Sequence, residues 1–102
     1  MKRLSRAAAA MAETVLRLEI RGRVQGVSYR AAMVEQARRL GLRGWVRNRR
    51  DGSVEAVVAG TEPSLQRIVA WARCGPRGAW VSEVITAAGE GSFDTFEQRP
   101  SL

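Results

Sequence analysis

Val15-Leu16-Arg17-Leu18-Glu19-Ile20-Arg21-Gly22-Arg23-Val24-Gln25-Gly26-Val27-Ser28-Tyr29-Arg30 sets the architecture of this chain. Its first part alternates. Leu16, Leu18 and Ile20 fall on one side, and Arg17, Glu19 and Arg21 on the other, the period of a half-buried strand. Two glycines, Gly22 and Gly26, then bracket a turn, either for positive φ angles or for close approach of a ligand. Beyond the turn, Tyr29, Met33, Ala37 and Leu40 recur at helical spacing, with Glu35, Arg38 and Arg39 outside the stripe. Ser28 or a neighbour is placed to cap that helix. A turn ending at a helix N-terminus presents several backbone N–H groups and partial positive charge to one anion, and Arg30 adds a full charge. The stretch from Gly22 to Arg30 therefore reads as a phosphate cradle.

The elements on either side follow from it. Gly41 stands where a helix commonly stops. Leu42 to Asn48 is a second strand, and Asp51-Gly52 is a hairpin turn leading into a third, Ser53 to Ala59. Thr61 opens a second helix with Pro63 in its first turn and a buried stripe of Leu65, Ile68, Val69 and Ala72; Gly75-Pro76 ends it. Ala79 to Thr86 is a fourth strand, with Ala79, Val81 and Ile85 on one face and Glu83 interrupting them. Phe93 to Glu97 is a short final strand at an edge, closed by Arg99-Pro100. Strand, helix, strand, strand, helix, strand, strand is an α+β order. It predicts a ferredoxin-like split βαβ sandwich, an antiparallel sheet with both helices on one face. Residues 14–102 form that one domain. Residues 1–13, basic and then alanine-rich, read as a poorly ordered extension and too short in apolar content for a signal peptide. Met11 is an alternative start of translation.

The chain has 102 residues, a formal charge of +7, one cysteine and no histidine. Residues 1–50 carry 13 of the 17 basic residues and only 3 of the 10 acidic ones, so the positive field is concentrated around the cradle. Six aromatics, none in the pattern of an RNA-reading strand, make nucleic acid an unlikely partner. A lone Cys74 forms no intrachain disulfide, which fits a cytoplasmic location. No cluster of metal-ligand types has useful spacing, and no apolar run approaches the roughly 20 residues of a membrane span. A metal- and cofactor-free, monomeric protein acting on a small anion is expected.

Without histidine, a Ser/His/Asp or Cys/His nucleophile is excluded. The glycine loop matches neither a Walker loop nor a dinucleotide fingerprint. What remains is an anion hole with an arginine. A hydrolase built on it needs a leaving group that departs without a strong general acid, and a carboxylate meets that condition. An acyl phosphate therefore suits the site, with the loop stabilising phosphoryl charge and a polar side chain orienting water. Anion binding without catalysis, or a purely structural turn, is the alternative.

Ile20 to Arg30 resembles the first signature of the acylphosphatase family. Gly44-Trp45-Val46-Arg47-Asn48, with Asp51-Gly52, Val54 and Gly60, resembles the second, and Gly75-Pro76 with Ala79 and Val81 resembles the family's late segment. The resemblance runs from about Val15 to the C-terminus; Tyr29 stands where the family usually has Phe. It implies hydrolysis of the carboxyl–phosphate bond of acyl phosphates to carboxylate and phosphate, on a ferredoxin-like fold. By motif position Arg30 binds the phosphate, Asn48 holds the attacking water, and the backbone N–H groups of Gln25, Gly26, Val27, Ser28, Tyr29 and Arg30 form the cradle. Each role has a plainer counterpart. Arg30 alone reads as a surface arginine, Asn48 as a turn starter, and Gln25 as a tie between loop and body. Arg23, Arg47, Arg49 and Arg50 are either steering charges or solvated ones. A non-catalytic phosphate- or acyl-phosphate-binding module of the same fold is the second reading.

Overall fold

The computed structural model describes residues 12–102. The elements are β1 (Glu13–Arg23), α1 (Tyr29–Arg39), β2 (Arg43–Asn48), β3 (Val54–Thr61), α2 (Glu62–Cys74), β4 (Trp80–Ala88) and β5 (Phe96–Gln98). The strands lie in the order β4-β1-β3-β2-β5. The expected extension at residues 1–13 falls outside the described residues except for Ala12 and Glu13, and Glu13 already pairs with Thr61.

Alternation along the strands sorts the two faces of the sheet. Leu18 and Ile20 of β1, Val46 of β2, and Val54, Ala56 and Val58 of β3 are fully buried. They form one core with Tyr29, Met33 and Ala37 of α1 and Leu65, Ile68 and Ala72 of α2. Each large apolar side chain in it contributes about 1.5–3 kcal/mol by leaving water. The opposite face carries Arg17, Glu19, Arg47 and Glu55 in ion pairs. α1 ends in a Schellman motif, in which Leu42 N–H donates to Ala37 O at 2.9 Å and Gly41 N–H to Arg38 O at 3.1 Å.

Three details correct the sequence reading. First, the sheet is mixed, because β5 runs parallel to β2 while all other pairs are antiparallel. β4 ends beside the start of β1, with Ala88 opposite Leu16. Residues 89–95 then cross to the far edge and deliver β5 at the same end where β2 begins, with Thr95 O accepting from Gly44 N–H at 2.9 Å. Parallel pairing is the consequence. Second, that crossing occupies Phe93, so β5 starts at Phe96 rather than at Phe93. Third, Val84 rather than Ile85 packs inward with Val81, and Ile85 is 41% exposed. Arg21 pairs with Glu83 but Gly22 with Val81, so Ser82 is an extra residue. This bulge shifts the alternation of β4 by one and puts Val81 and Val84 on the same side.

Candidate active site

β1 and β2 both run antiparallel to β3, so their C-terminal ends lie at one end of the sheet. The loop after β1 and the β2–β3 hairpin meet there. Val24 and Tyr29, each 1% exposed, anchor the two ends of the loop in the core. Between them Gly26 (φ 74°) and Ser28 (φ 61°) are left-handed, while Val27 keeps a negative φ. Alternating signs of φ turn successive N–H groups toward one side and make a concave nest for an anion. A Cβ on Gly26 would meet nothing within 4 Å, so the glycine is there for its dihedral. At Gly22 (φ 130°) a Cβ would strike the Trp80 carbonyl of β4, so this glycine serves the bulge. It lies inside β1, not in the turn it was expected to bracket.

Ser28 takes the N-cap position of α1, but its side chain makes no capping bond. A capping serine normally has an extended backbone, and the left-handed conformation here removes that geometry. The first N–H taken up within the helix is that of Ala32, which donates to Ser28 O at 3.1 Å. The helix start thus keeps its N–H groups and partial positive charge for a ligand.

Gln25 turns away from this space. Its Nε2 donates to Arg49 O at 2.7 Å and to Ser53 O at 2.8 Å, tying the loop to the hairpin. The hairpin is itself braced. Arg49 N–H donates to Ser53 O at 2.9 Å, and Asp51 Oδ1 accepts from Ser53 N–H and Oγ–H at 2.9 and 2.6 Å. Those two bonds hold the Asp51 carboxyl below its usual range, with Arg49 and Arg21 adding to the effect. The Val27 side chain packs against the core. Gln25 and Val27 can therefore serve an anion only through their backbone.

A cleft of about 390 Å³ opens between the loop and β2, lined by Gly26, Ser28, Tyr29, Arg30 and Asn48 among others. Asn48 ends β2 two residues after buried Val46, so it faces the helix side at the foot of α1. Its Oδ1 is shielded from solvent and has no partner among the described residues. A buried acceptor left this way costs about 1–3 kcal/mol, so the site favours a donor from a ligand or water. Arg30 makes no ion pair among the described residues; its Nη1 donates to Arg99 O at 3.3 Å. The segment after β5 runs beside the cleft, with Arg99 N–H donating to Val46 O and Leu102 N–H to Asn48 O, at 2.8 and 3.0 Å. Gln98 also lines the cleft, a residue the sequence reading missed. The only signal for it was the period of two from Phe96, obscured by the misplaced start of β5.

The arginines considered for steering divide. Arg47 is bound to Glu55, with Arg17 on the other carboxylate oxygen, and Arg49 is bound to Glu19. Burial works to raise the Glu55 carboxyl, but the hydrogen bonds and charges of Arg47 and Arg17 outweigh it and leave it lowered. Arg47 also lies over Trp45 at 4.8 Å, and Arg99 over the same ring at 4.6 Å. Trp45 therefore packs against both guanidinium groups. Among the described residues no three His, Cys, Asp or Glu side chains are grouped to hold a metal ion. No described helix is long and apolar enough to cross a membrane.

The nest, the unpaired arginine and the orphan amide are the parts that the two sequence signatures named. The family model described as Acylphosphatase matches residues 16–98. The chain belongs to the acylphosphatase family. An acylphosphatase from Albidiferax ferrireducens is 55% identical over 91 residues, covering 89% of this chain and 99% of that protein. One from Thiobacillus denitrificans is 54% identical over 84 residues, covering 82% and 94%. The structure of an acylphosphatase from Coxiella burnetii superposes with a TM-score of 0.82 at 34% identity, covering 85% of this chain and 93% of that one. Against this family background Tyr29 is the departure, and its hydroxyl is accommodated. It donates to Ala72 O at 2.7 Å, and the ring sits 5.3 Å from that of Trp71. Ala72 lies in the last turn of α2, where carbonyls lack helical partners, so the hydroxyl fills a vacancy of the helix end.

Proposed function

We propose that this acylphosphatase hydrolyses the carboxyl–phosphate bond of small acyl phosphates through the cleft between the β1–α1 loop and β2. The observation that carries the proposal is the juxtaposition of an anion nest, an arginine without an acidic partner and an orphan amide oxygen. The phosphoryl group lies in the nest, with its oxygens on the N–H groups of residues 26–30 and on the Arg30 guanidinium. Asn48 Oδ1 accepts a hydrogen bond from the attacking water and so aims the water's lone pair at phosphorus. Water forms the new P–O bond as the bond to the acyl oxygen breaks, and the bonding pair leaves with the carboxylate. Asn is no base near neutral pH, so the water's proton passes to a phosphoryl oxygen of the substrate. Oriented donors in a pre-formed site supply the acceleration. A lone, exposed Cys74 that forms no intrachain disulfide supports a cytoplasmic location.

The test is hydrolysis of an aromatic acyl phosphate with a chelator present. Arg30→Ala should lower kcat/KM by about 10²–10³-fold and weaken inhibition by phosphate. Asn48→Ala should lower kcat by a similar factor and leave phosphate inhibition intact. A wild-type protein that binds phosphate through Arg30 but turns nothing over would establish the binding module instead.

A further inference from the structure

We infer that Gln98 is a second water-positioning residue, acting with Asn48 on the nucleophile; the inference rests on the function proposed above. β5 pairs in parallel with β2, with Phe96 opposite Gly44 and Gln98 opposite Val46. Phe96 and Val46 are both buried on the helix side. Two residues beyond Phe96, Gln98 faces that side too, and two residues beyond Val46, so does Asn48. The two amides therefore stand on neighbouring strands, on one face, in one cleft with Ser28 and Arg30.

An attacking water must present a lone pair to phosphorus. While the water attacks, its two protons point away from the phosphoryl group, and each needs an acceptor for the orientation to be fixed; one passes to a phosphoryl oxygen only after the new P–O bond has formed. Asn48 Oδ1 is one acceptor, buried and unpartnered. The Gln98 amide oxygen, on the strand beside it, is the other. A neutral amide suits this place, since a carboxylate would repel the phosphoryl dianion that the nest and Arg30 hold. Gln98 is exposed and lines the cleft, so its amide is open to solvent. Phosphate binding is left to the loop, so Gln98 should govern turnover rather than affinity.

The experiment measures kcat, KM and phosphate inhibition for Gln98→Leu, Gln98→Glu and Asn48→Ala, with Glu97→Gln as a control on the outer side of β5 and thermal melts to verify folding. Gln98→Leu, which keeps the size and removes the acceptor, should lower kcat about ten-fold with KM and phosphate inhibition unchanged. Gln98→Glu should recover most of that kcat but raise KM, the rise following ionisation of the new carboxyl at about pH 4–5. Glu97→Gln should match wild type. A kcat for Gln98→Leu within two-fold of wild type, while Asn48→Ala has lost turnover, overturns the inference and leaves the proposed function standing. A raised KM with unchanged kcat in Gln98→Leu makes Gln98 a substrate contact and also overturns it. Wild-type turnover in Asn48→Ala refutes the proposed water site itself, and the inference with it.

Discussion

Tyr29→Phe restores the residue common in the family and should destabilise this protein. The phenol is buried, and its O–H to Ala72 O bond is 2.7 Å long. Removing it leaves a helix-end carbonyl without its donor, a loss of about 1–2 kcal/mol. For a domain of this size that lowers Tm by about 4–8 °C per kcal/mol. The same burial raises the pKa of Tyr29 far above its ordinary value of 10.0, with Cys74 adding a smaller push. The folded state then holds its proton where the unfolded chain has lost it. Stability from this source is complete below pH 10 and falls by about 1.4 kcal/mol per pH unit above it. Tyr29→Phe lacks that decline. Its deficit at pH 7 should therefore nearly vanish by pH 11, as read from urea midpoints. Tyr29 is the only tyrosine of the chain, so tyrosinate absorbance reports it alone. A midpoint near 10 in the folded protein, or a deficit unchanged from pH 7 to 11, refutes the reasoning.

Two further outcomes test other joints of the structure. Gly26→Ala meets no clash but forces a left-handed φ on alanine, at about 1–2 kcal/mol; either the nest flattens and phosphate inhibition weakens several-fold, or a substitution with unchanged phosphate affinity shows that Gly26 is dispensable to the cradle. Glu55→Gln breaks a mostly buried carboxylate away from two partly exposed arginines and should cost about 2 kcal/mol at pH 7. Because the folded carboxyl is lowered, that stability exists above the usual carboxylate range and disappears as pH falls through the folded value. Denaturation midpoints from pH 7 to 3 should therefore converge for the two proteins.

The path of the chain up to α2 was legible because each element there is local. Alternation around Leu18 and Ile20, the stripe of Met33 and Ala37, and the turn at Gly52 report on neighbours a few residues away. The misreadings of the sheet depend on pairing between distant segments. The bulge that turns Val84 inward exists only because β4 meets Gly22, 60 residues earlier in the chain. The parallel direction of β5 follows from where residues 89–95 cross. In the site, Arg30 and Asn48 were reached through their motifs. The αL backbone of Ser28 was not, since serine ordinarily caps in an extended conformation and nothing in its side chain announces otherwise. Gln98 was missed because it enters the cleft by pairing with β2, not through a motif.

The cradle is made of backbone, and backbone is placed by packing. No side chain in residues 25–28 needs to touch a phosphate for those N–H groups to converge. What fixes them is Val24 and Tyr29 in the core at either end and Gln25 on the hairpin carbonyls. Binding strength should then depend on residues that never contact the ligand. Through Ala72 and Trp71, Tyr29 also ties the start of α1 to α2, a helix that contributes nothing to the cleft lining. An enzyme without histidine can work this way because its substrate carries a good leaving group. The site has little proton transfer to arrange and a phosphoryl charge to meet. In the reaction proposed above, rigid N–H groups and one arginine meet that charge with little reorganisation. The first signature accordingly mixes cleft-lining Gly26 and Arg30 with core-anchored Val24 and Tyr29 in one short run.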